Sequence, residues 1–462
     1  MAKTKVVHAC IECGTPHPKW AGQCAGCGAW NTLVEEVAEP PEVSGAGSTL
    51  TSSAPVQIGD IDTQLGRPQP TGIGELDRVL GGGIVPGSVT LLGGEPGIGK
   101  STLLLQLLAW WPAVTLYVSA EESAPQVRLR AERLGALRPE LWLLAATSVP
   151  DIIAAIDEVC PALVVIDSIQ AVADPVLGSP PGSVVQVRAC AHRLVVEAKR
   201  RGIPVVIVGH VTKDGGLAGP RVLEHVVDTV LSFEGDRHHA LRLLRASKHR
   251  FGPTDELGLF EMAAGGLVGV PDASRLFLAD RRIGVPGSAV APTIEGKRPI
   301  VVEVQALTAA APYDVPVRRT SQGIDGGRLA LLLAVLQQRA CQPVGNADVY
   351  VSTVGGVRLV EPGLDLAVCM AVVSALTGQP LPAGLAVFGE VGLGGELRQV
   401  GHTRRRLREA ARLGFARAIV PGNTATGVEG IRMLRASTLV EALAMAGMVA
   451  DVPPRVGGGR DQ

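Results

Sequence analysis

The chain has 462 residues, of which 46% are hydrophobic and 19% are charged. This length is enough for about two to four domains, and the composition excludes a chain that is disordered throughout. With 43 lysine and arginine residues against 44 aspartate and glutamate residues, the net charge of −1 excludes a protein that binds polyanions through its overall charge, but not a local basic face.

No segment has the features of a signal peptide, and no apolar run reaches the roughly 18 residues that a membrane span requires. A cytoplasmic protein is therefore expected, and its eight cysteines need an explanation other than disulfides. Four of them stand alone in apolar surroundings and are predicted to be core residues: Cys160, Cys190, Cys341 and Cys369.

Residues 1–37 carry two Cys-x2-Cys pairs separated by ten residues. Each pair places two thiolates on a tight turn, which supplies half of a tetrahedral zinc site. A unit this short also needs a staple in order to fold. The sequence therefore predicts a structural Zn²⁺ without an open position for catalysis, and a pair of redox dithiols is the alternative. The predicted ligands are Cys10, Cys13, Cys24 and Cys27.

Residues 38–57 are rich in Pro, Gly, Ser and Thr and are predicted to be a linker. From residue 58 to residue 270, continuous apolar runs alternate with amphipathic helices, which is typical of a parallel sheet covered on both faces. The predicted strands are 89–94, 115–120, 162–168, 204–210 and, at the edge of the sheet, 241–250; the predicted helices are 126–135 and 187–202.

Residues 271–452 form a second α/β region, and residues 453–462 are predicted to be a disordered tail. Strands and helices again alternate here, so the fold class is α/β behind an amino-terminal zinc finger. The predicted strands are 300–308, 348–356 and 416–422, and the predicted helices are 326–340, 364–378 and 403–414.

The segment GEPGIGKS (94–101) matches the P-loop pattern, follows an apolar strand and opens a helix. Its glycines let backbone N–H groups surround phosphates, and the helix N-terminus adds positive potential. Lys100 is expected to reach the β- and γ-phosphates of ATP, Ser101 to bind Mg²⁺, and Asp167 to take the Walker-B position. The predicted nucleotide-binding residues are Gly94, Glu95, Pro96, Gly97, Ile98, Gly99, Lys100, Ser101 and Thr102.

Two glutamates, Glu121 and Glu122, follow the predicted strand 115–120. A carboxylate at this position could orient the water that attacks the γ-phosphate, and Glu121 is the preferred candidate. A solvated acidic strand end is the alternative, and the sequence does not decide between the two glutamates.

Three segments resemble the bacterial RadA/Sms family: residues 71–106 around the P-loop, YVSAEES (117–123) and SKHRFG (247–252), where His249 replaces the family's Asn. The resemblance covers nearly the whole chain and implies a RecA-like core. It also implies a DNA-dependent ATPase that acts on recombination intermediates as a ring-shaped helicase. The implied partners are single-stranded and branched DNA, recombinase or replication proteins, and further copies of the chain in a homo-hexamer.

Lys248 and Arg250 also resemble the Lys-x-Arg strand end of replicative hexameric helicases. This resemblance implies that both cations reach the γ-phosphate bound by a neighbouring subunit. Such a role agrees with the need for cations around a transferred phosphoryl group. A solvated basic strand end is the alternative.

The Gly- and Pro-rich segments 174–187 and 211–221 are the candidate DNA-binding loops, since the corresponding loops of RecA-like folds face the central channel. Lys213, Arg221 and Arg188 are expected to contact phosphates. His210 ends a predicted strand, where it either senses the nucleotide state or is a plain strand-end histidine.

Residues 280–450 resemble the proteolytic domain of Lon, through the segments 361–371 and 389–421. The position of the catalytic serine holds Asp365, and that of the catalytic lysine holds Arg404. A carboxylate and a permanently charged guanidinium cannot replace a hydroxyl nucleophile and a neutral amine. The resemblance therefore implies a Lon-like scaffold that lacks peptidase chemistry.

The predicted helix 403–414 is strongly basic, with Arg398 and Arg406 adding to its charge. Residues four apart share one helix face, so the sequence predicts a track for the DNA backbone, and a solvated cationic helix is the alternative. The predicted contacts are Arg404, Arg405, Arg408 and Arg412.

These features together predict an ATP-driven DNA motor for repair and homologous recombination, which migrates or processes branched intermediates. Two alternatives belong to other classes. One is an ATP-dependent Lon-like protease, which the missing Ser-Lys pair disfavours. The other is a RecA-fold signalling ATPase of the circadian-clock type that does not use DNA.

Overall fold

The computed structural model describes residues 6–10, 16–26, 28, 30, 33–37, 57–60, 63–210, 223–235, 241–311, 316–353, 361–425 and 427–448. The chain divides into two compact units. The first contains Met1–Gly235, Arg242–Thr254 and Phe260–Gly269, and the second contains Asp236–Leu241, Asp255–Leu259 and Val270–Gln462. Within the described ranges, no helix has the length and apolar character needed to cross a membrane.

A three-stranded antiparallel sheet opens the chain. Its strands are β1 (Val6–Cys10), β2 (Pro16–His17) and β3 (Leu33–Val37), in the order β2-β1-β3. Only Cys24 and Leu33 form a buried apolar pair among the described residues of this region. Because so little apolar surface is buried, the small sheet needs a further source of stability.

A nine-stranded sheet forms the centre of the first unit, in the order β12-β11-β10-β9-β4-β8-β7-β5-β6. The six neighbouring strands β9-β4-β8-β7-β5-β6 are parallel. The continuous apolar runs predicted from the sequence form four of them, β4, β5, β7 and β8. The strands are β4 (Val89–Gly94), β5 (Thr115–Ser119), β6 (Leu141–Ala145), β7 (Leu163–Asp167), β8 (Val205–His210), β9 (Thr229–Glu234), β10 (Leu241–His249), β11 (Leu257–Ala263) and β12 (Gly266–Gly269).

The position predicted for β10 is wrong, because this strand is not at the edge of the sheet. It pairs antiparallel with β9, and the hairpin of β11 and β12 lies beyond it. The hairpin is short and turns at Ala264 and Gly265, so its segments lack the long apolar run by which the other strands were recognised.

Helices cover both faces of this sheet and form two separate apolar clusters with it. Strands buried on both faces have no polar side, which explains their continuous apolar sequences. The helices are α1 (Gly74–Val79), α2 (Lys100–Trp110), α3 (Ala124–Arg133), α4 (Val149–Val159) and α5 (Val184–Arg201).

The second unit contains a four-stranded sheet in the order β13-β14-β16-β15, a parallel sheet β17-β20-β21 and the pair β18-β19. Its strands are β13 (Ser288–Glu295), β14 (Arg298–Ala310), β15 (Arg319–Gln322), β16 (Ala347–Thr353), β17 (Leu385–Val387), β18 (Glu390–Val391), β19 (Leu397–Arg398), β20 (Arg417–Pro421) and β21 (Arg432–Ala436).

The helices of the second unit are α6 (Ala273–Leu278), α7 (Gly326–Arg339), α8 (Asp365–Thr377), α9 (Thr403–Arg412) and α10 (Leu439–Met445). The first ten residues of α8 are all buried, so it is the central helix of this unit. One side of α9 packs in an apolar cluster with β13, β14 and β20 through Leu407 and Ala410. Its exposed residues, on the opposite side, are therefore the ones available to a ligand.

The prediction for the single cysteines is correct for Cys190 and Cys369, which are buried, and wrong for Cys160 and Cys341, which are exposed. Both exposed cysteines have left-handed backbone dihedrals, with φ of 49° and 54°. Cys160 caps the carboxyl end of α4, and Cys341 follows the end of α7. The chain reverses after a helix, and this carries the side chain outward although its neighbours in sequence are apolar.

Candidate functional site

The P-loop connects β4, which is buried throughout, to α2, which begins at Lys100. Gly99 has a φ of 117°, a conformation that favours glycine. A Cβ atom at Gly99 would lie 2.8 Å from Met262 Cε, and one at Gly94 would lie 2.5 Å from the carbonyl oxygen of Phe233. The loop therefore requires these glycines both for its path and for its packing against β9 and β11.

The side chain of Lys100 is folded over its own loop. Its residue is 4% exposed, and Nζ donates hydrogen bonds to the carbonyl oxygens of Gly94 at 2.7 Å and Glu95 at 3.0 Å. Burial lowers the pKa of Lys100, against the opposing effect of the carboxylates of Asp167 and Glu121. The cation is thus held within the predicted site.

Asp167 ends β7 on the strand next to β5, where it lies level with Ser119. The hydroxyl of Tyr117 donates a hydrogen bond to Asp167 Oδ2 at 2.7 Å. Burial, followed by the charge of Asp167, raises the pKa of Tyr117, so the phenol stays neutral and remains a donor. Sequence reasoning missed Tyr117 because it is an ordinary strand residue in YVSAEES, and only its partner in the next strand gives it a role.

The two glutamates after β5 have different partners. Ser168 Oγ donates a hydrogen bond to Glu121 Oε1, directly after Asp167. Glu122 instead accepts one from Arg130 Nη2 on α3, at 2.7 Å. The neighbouring arginine thus balances the charge of Glu122, whereas Glu121 is turned toward Asp167 and Lys100.

These groups line one cavity of about 560 Å³. The cavity brings together the predicted residues Lys100, Ser101, Glu121 and Asp167 with three guanidinium groups that the sequence analysis did not identify. The three are Arg130, Arg133 and Arg242.

Arg242 lies on β10, far along the chain from the P-loop, and is 6% exposed. Its Nε donates a hydrogen bond to the carbonyl oxygen of Ile98 at 3.1 Å. The sequence did indicate that Arg242 is buried, because it alternates along its strand with Leu244 and Ala246, which lie on the same inward face. A charged residue at a buried position requires a polar partner, and here the partner is the P-loop backbone.

Lys248 and Arg250 lie at the other end of the sheet from the P-loop. Arg250 Nη1 is 3.2 Å from Asp228 Oδ1, and the other oxygen of Asp228 accepts a hydrogen bond from the backbone N–H of Val89 at 3.0 Å. Val89 begins β4 and Gly94 ends it, which separates the two ends of that strand by about 17 Å at 3.3 Å per residue. Arg250 therefore cannot reach the phosphates bound by its own P-loop.

Lys248 and His249 are held by neighbouring groups at the same end of the sheet. Lys248 Nζ donates to the carbonyl oxygens of Glu224 at 2.6 Å and Val227 at 2.9 Å. The ring of His249 contacts Thr229 Oγ1 at 3.0 Å and the carbonyl oxygen of Leu80 at 3.2 Å. Two hydrogen bonds thus fix the histidine that replaces the family's Asn, and it leaves both cations in place.

Several predicted residues can be located only in part. Arg188 is exposed on α5. Lys213, Arg221 and the side chain of His210 lie outside the described residues, as do Cys13, Cys27 and the side chain of Cys10. Cys24 is 2% exposed, and its Sγ accepts a hydrogen bond from the backbone N–H of Gly26 at 3.3 Å.

In the second unit, the predicted position of the Lon serine holds a buried ion pair. Asp365 is 3% exposed at the start of α8, and its two oxygens accept hydrogen bonds from Arg328 on α7. The backbone N–H of Val391 donates a third, at 3.1 Å. Burial raises the pKa of Asp365, and the arginine opposes this shift. The carboxylate is thus fully engaged, while Arg404 is exposed on α9.

The arginines of α9 divide into exposed and engaged groups. Arg404, Arg405 and Arg408 are exposed, and they line an open concavity at the start of the helix. Arg412 is held by two carboxylates, those of Asp272 and Glu409. The predicted four-residue track therefore has three open members.

The expected contribution of Arg406 to this surface is wrong. Its side chain is 1% exposed and donates hydrogen bonds to Glu361 and to the carbonyl oxygen of Pro292, because it lies on the side of α9 that packs in the core. Arg398 is exposed but pairs with Glu396 at 2.6 Å. The free positive charge of this region is accordingly smaller than the sequence indicated.

Three family models match the chain. An AAA domain matches residues 61–216, a rubredoxin metal binding domain matches residues 8–35, and the Lon protease (S16) C-terminal proteolytic domain matches residues 346–446. The DNA repair protein RadA of Bacillus subtilis is 47% identical over 453 residues, which cover 96% of this chain and 99% of that protein. The chain belongs to the RadA family.

A second RadA, from Mycobacterium tuberculosis, is 48% identical over 458 residues, covering 98% of this chain and 95% of that protein. The predicted family and the α/β fold class, with a metal-binding ribbon, a P-loop ATPase domain and a Lon-like domain, are therefore confirmed. Among solved structures, a KaiC-like protein from Pyrococcus horikoshii is similar over 44% of this chain and 99% of its own, at 20% identity and with a TM-score of 0.38.

Proposed function

We propose that this RadA-family chain is a DNA-dependent ATPase of the cytoplasm that migrates or processes branched recombination intermediates as a ring-shaped motor, most simply a homo-hexamer. The observation that carries the proposal is the separation of two sets of charges. Lys100, Glu121 and Asp167 line one cavity, while Lys248 and Arg250 lie at the opposite end of the sheet. Only an assembly of several copies can bring both sets to one nucleotide.

ATP binds in the cavity of the first unit with its phosphates along the P-loop. Lys100 exchanges its two backbone carbonyl partners for the β- and γ-phosphate oxygens. The hydroxyl of Ser101 and the carboxylate of Asp167 are oxygen ligands of the kind that Mg²⁺ prefers, and both line this cavity. Bound Mg²⁺ supplies neutralisation of the charge that develops on the phosphates.

Glu121 orients the attacking water. Its neighbour Glu122 is bound to Arg130, which keeps that carboxylate away from the water. Glu121 accepts a hydrogen bond from Ser168, next to the Walker-B aspartate, so its position relative to the phosphates is fixed. These contacts support the choice of Glu121 over Glu122, which the sequence left open.

Lys248 and Arg250 complete the site of a neighbouring subunit. They supply positive charge to the transferred phosphoryl group only when a second copy is in place. Hydrolysis then depends on assembly, which is the property that a ring-shaped motor needs in order to act in sequence around DNA.

DNA contacts in this proposal come from both units. Arg188, Lys213 and Arg221 belong to the first, and the exposed Arg404, Arg405 and Arg408 on α9 belong to the second. All are expected to contact phosphates, because lysine and arginine side chains neutralise the charge of a DNA backbone. Recombinase or replication proteins are proposed as further partners, with the ribbon as one contact surface.

The ribbon is proposed to bind one Zn²⁺ through Cys10, Cys13, Cys24 and Cys27. The donor set fits, because four thiolates in two Cys-x2-Cys pairs form a closed tetrahedral site. The hydrogen bond from Gly26 N–H to Cys24 Sγ also suits a thiolate, which is the form that a metal binds.

The experiment that tests the proposal compares ATP hydrolysis without DNA, with single-stranded DNA and with a branched substrate. Stimulation by DNA, together with movement of the branch point, is expected. A Glu121→Gln variant should lose both, and a Glu122→Gln variant serves as the matched control. If DNA does not change the rate of ATP hydrolysis and the protein does not bind DNA, the proposal is contradicted and a signalling ATPase is favoured.

The protease alternative is tested in the same preparation with casein and ATP. Intact casein is expected, because Asp365 is bound to Arg328 and no hydroxyl occupies that position. Degradation that survives purification to homogeneity would contradict the assignment of the Lon-like unit as a scaffold.

A further inference from the structure

A cavity of about 380 Å³ lies at the carboxyl end of α9, apart from the nucleotide site and the Lon-like centre. Apolar and cationic side chains line it in nearly equal number. The main lining residues, called here the α9 pocket, are Arg275, Leu278, Arg281, Ile283, Arg412 and Phe415.

Arg281 is fixed in this pocket with part of its hydrogen-bonding capacity unused. Its guanidinium carbon lies 5.8 Å from the centroid of the Phe415 ring, and Nη1 donates to the carbonyl oxygen of Ala383 at 3.3 Å. Its Nε is buried and has no hydrogen-bond partner among the described residues. An unpaired buried donor is costly, so a ligand that supplies an acceptor gains free energy here. Burial also lowers the pKa of Arg281.

Arg412 offers the flat face of its guanidinium group to a ligand rather than a contact with a phosphate. Its Nε and both Nη atoms donate to Glu409 and Asp272, at 2.8 to 3.0 Å. These bonds hold the guanidinium still and occupy most of its donors. A planar group held in this way keeps its faces available for stacking, as aromatic rings and guanidinium groups do when they bind bases.

The mouth of the pocket is open, and it continues from the exposed arginines of α9. Ile283 is 69% exposed beside it. Arg412 follows Arg408 by one helical turn, a rise of about 6 Å. A strand whose phosphates contact Arg404, Arg405 and Arg408 therefore brings a neighbouring base to this opening.

We propose that the α9 pocket accepts one unstacked base of single-stranded DNA. The base lies against the plane of the Arg412 guanidinium, and its carbonyl or ring-nitrogen acceptor receives the Nε–H of Arg281. The proposal rests on the proposed function, because it takes the arginines of α9 to be contacts of the DNA backbone. An acidic ligand is the weaker choice, since the carboxylates of Asp272 and Glu409 already neutralise much of the local charge.

The test compares the affinity of the full-length protein for two oligonucleotides of equal length, one of thymidine and one of abasic nucleotides with the same phosphates. The wild-type protein should bind the thymidine strand at least about fivefold more tightly, as expected for one stacked base. Arg281→Gln should remove most of that difference without weakening binding of the abasic strand. Arg282→Gln, the same change at the exposed neighbouring residue, is the matched control and should keep the difference.

A second variant keeps the test informative if Arg281→Gln does not fold. Ile283→Asp changes an exposed side chain and should lower affinity for the thymidine strand selectively, since its carboxylate stands at the pocket mouth. Equal binding of the two strands by the wild-type protein would overturn the base pocket and leave the arginines of α9 as backbone contacts. Unchanged affinity for both strands in the Arg281→Gln and Ile283→Asp variants would also overturn it. Failure of the wild-type protein to bind either strand would overturn both this proposal and the proposed function.

Discussion

At the scale of single residues, Lys100 is positioned by the backbone of its own P-loop. Its ammonium is held by two carbonyl oxygens of the P-loop, at 2.7 and 3.0 Å, in a site where burial lowers its pKa. Phosphate oxygens carry more negative charge than carbonyl oxygens, so the lysine exchanges partners with a gain in electrostatic energy.

Lys100→Ala should therefore abolish ATP turnover. Removing a cation that stabilises the transition state costs about 3–4 kcal/mol, which is on the order of a hundredfold or more in rate. The measurement is steady-state phosphate release with and without DNA, alongside the melting temperature as a check on folding. Turnover close to that of the wild-type protein would show that another site hydrolyses ATP.

The pair Glu121→Gln and Glu122→Gln separates two adjacent carboxylates. Glu121→Gln should reduce kcat by roughly a hundredfold or more with little effect on nucleotide binding, because it removes the group that orients water. Glu122→Gln should retain most of kcat, since that carboxylate is bound to Arg130. The reverse result, with Glu122→Gln the inactive variant, would transfer the role to Glu122.

The sequence predicted the residues of this site that a motif or the end of a strand marks, and it missed those that gain a role only from packing. Lys100 and Ser101 belong to one motif, and Asp167 ends a recognisable strand. Arg242 joins the site only because its strand, β10, places it beside the P-loop. Tyr117 gains its role from the register of β5 with β7. Pairings of this kind depend on the packed fold and leave little trace in local sequence.

At the scale of elements, α9 shows the limits of a helical pattern. The four-residue spacing correctly placed Arg404 and Arg408 on one exposed face. It did not show that Asp272, on another element, would bind Arg412, nor that Arg406 would lie in the core against Glu361. Charge counted along a helix therefore overestimates the charge that a ligand meets.

Replacing Arg404, Arg405 and Arg408 together with Ala should weaken binding of single-stranded DNA and flatten its salt dependence. Each phosphate contact contributes roughly 0.7 to the slope of log K against log salt, so the slope should fall by about two units. Affinity is measured by fluorescence anisotropy over a series of salt concentrations.

Arg412→Ala provides the control for that measurement. Its guanidinium is bound to two carboxylates, so its loss should change the salt slope by less than one contact and should lower the melting temperature slightly. If the triple variant kept the slope of the wild-type protein, α9 would be a solvated face or a contact between subunits, and DNA would bind elsewhere.

At the scale of the whole molecule, activity should depend on the boundary between copies. Arg250→Ala should bind ATP normally and lose DNA-stimulated hydrolysis, because the cation acts on a neighbour's nucleotide. Mixing Arg250→Ala with Lys100→Ala should partly restore turnover, since some boundaries then join an intact P-loop to an intact Arg250. Loss of ATP binding by Arg250→Ala would place this residue in its own subunit's pocket and contradict the prediction.

Metal content is also a property of the intact chain. Protein purified without chelator should contain one Zn²⁺ per chain, and Cys24→Ala should lose it. The small sheet of the ribbon buries few apolar residues, so it should unfold without the metal, while the melting transition of the ATPase core should remain. Metal analysis and calorimetry check both points, and wild-type protein without zinc would refute the assignment.

The ion pair between Asp365 and Arg328 also bears on how the Lon-like unit can evolve. A single change of Asp365 to serine would restore the nucleophile's hydroxyl but would leave Arg328 facing a site without its counter-charge. A change of Arg404 to lysine alone would supply an amine with nothing to activate. Each single change toward a Ser-Lys dyad is thus unfavourable without the others, because it leaves either an unpaired buried charge or an amine without a hydroxyl to activate.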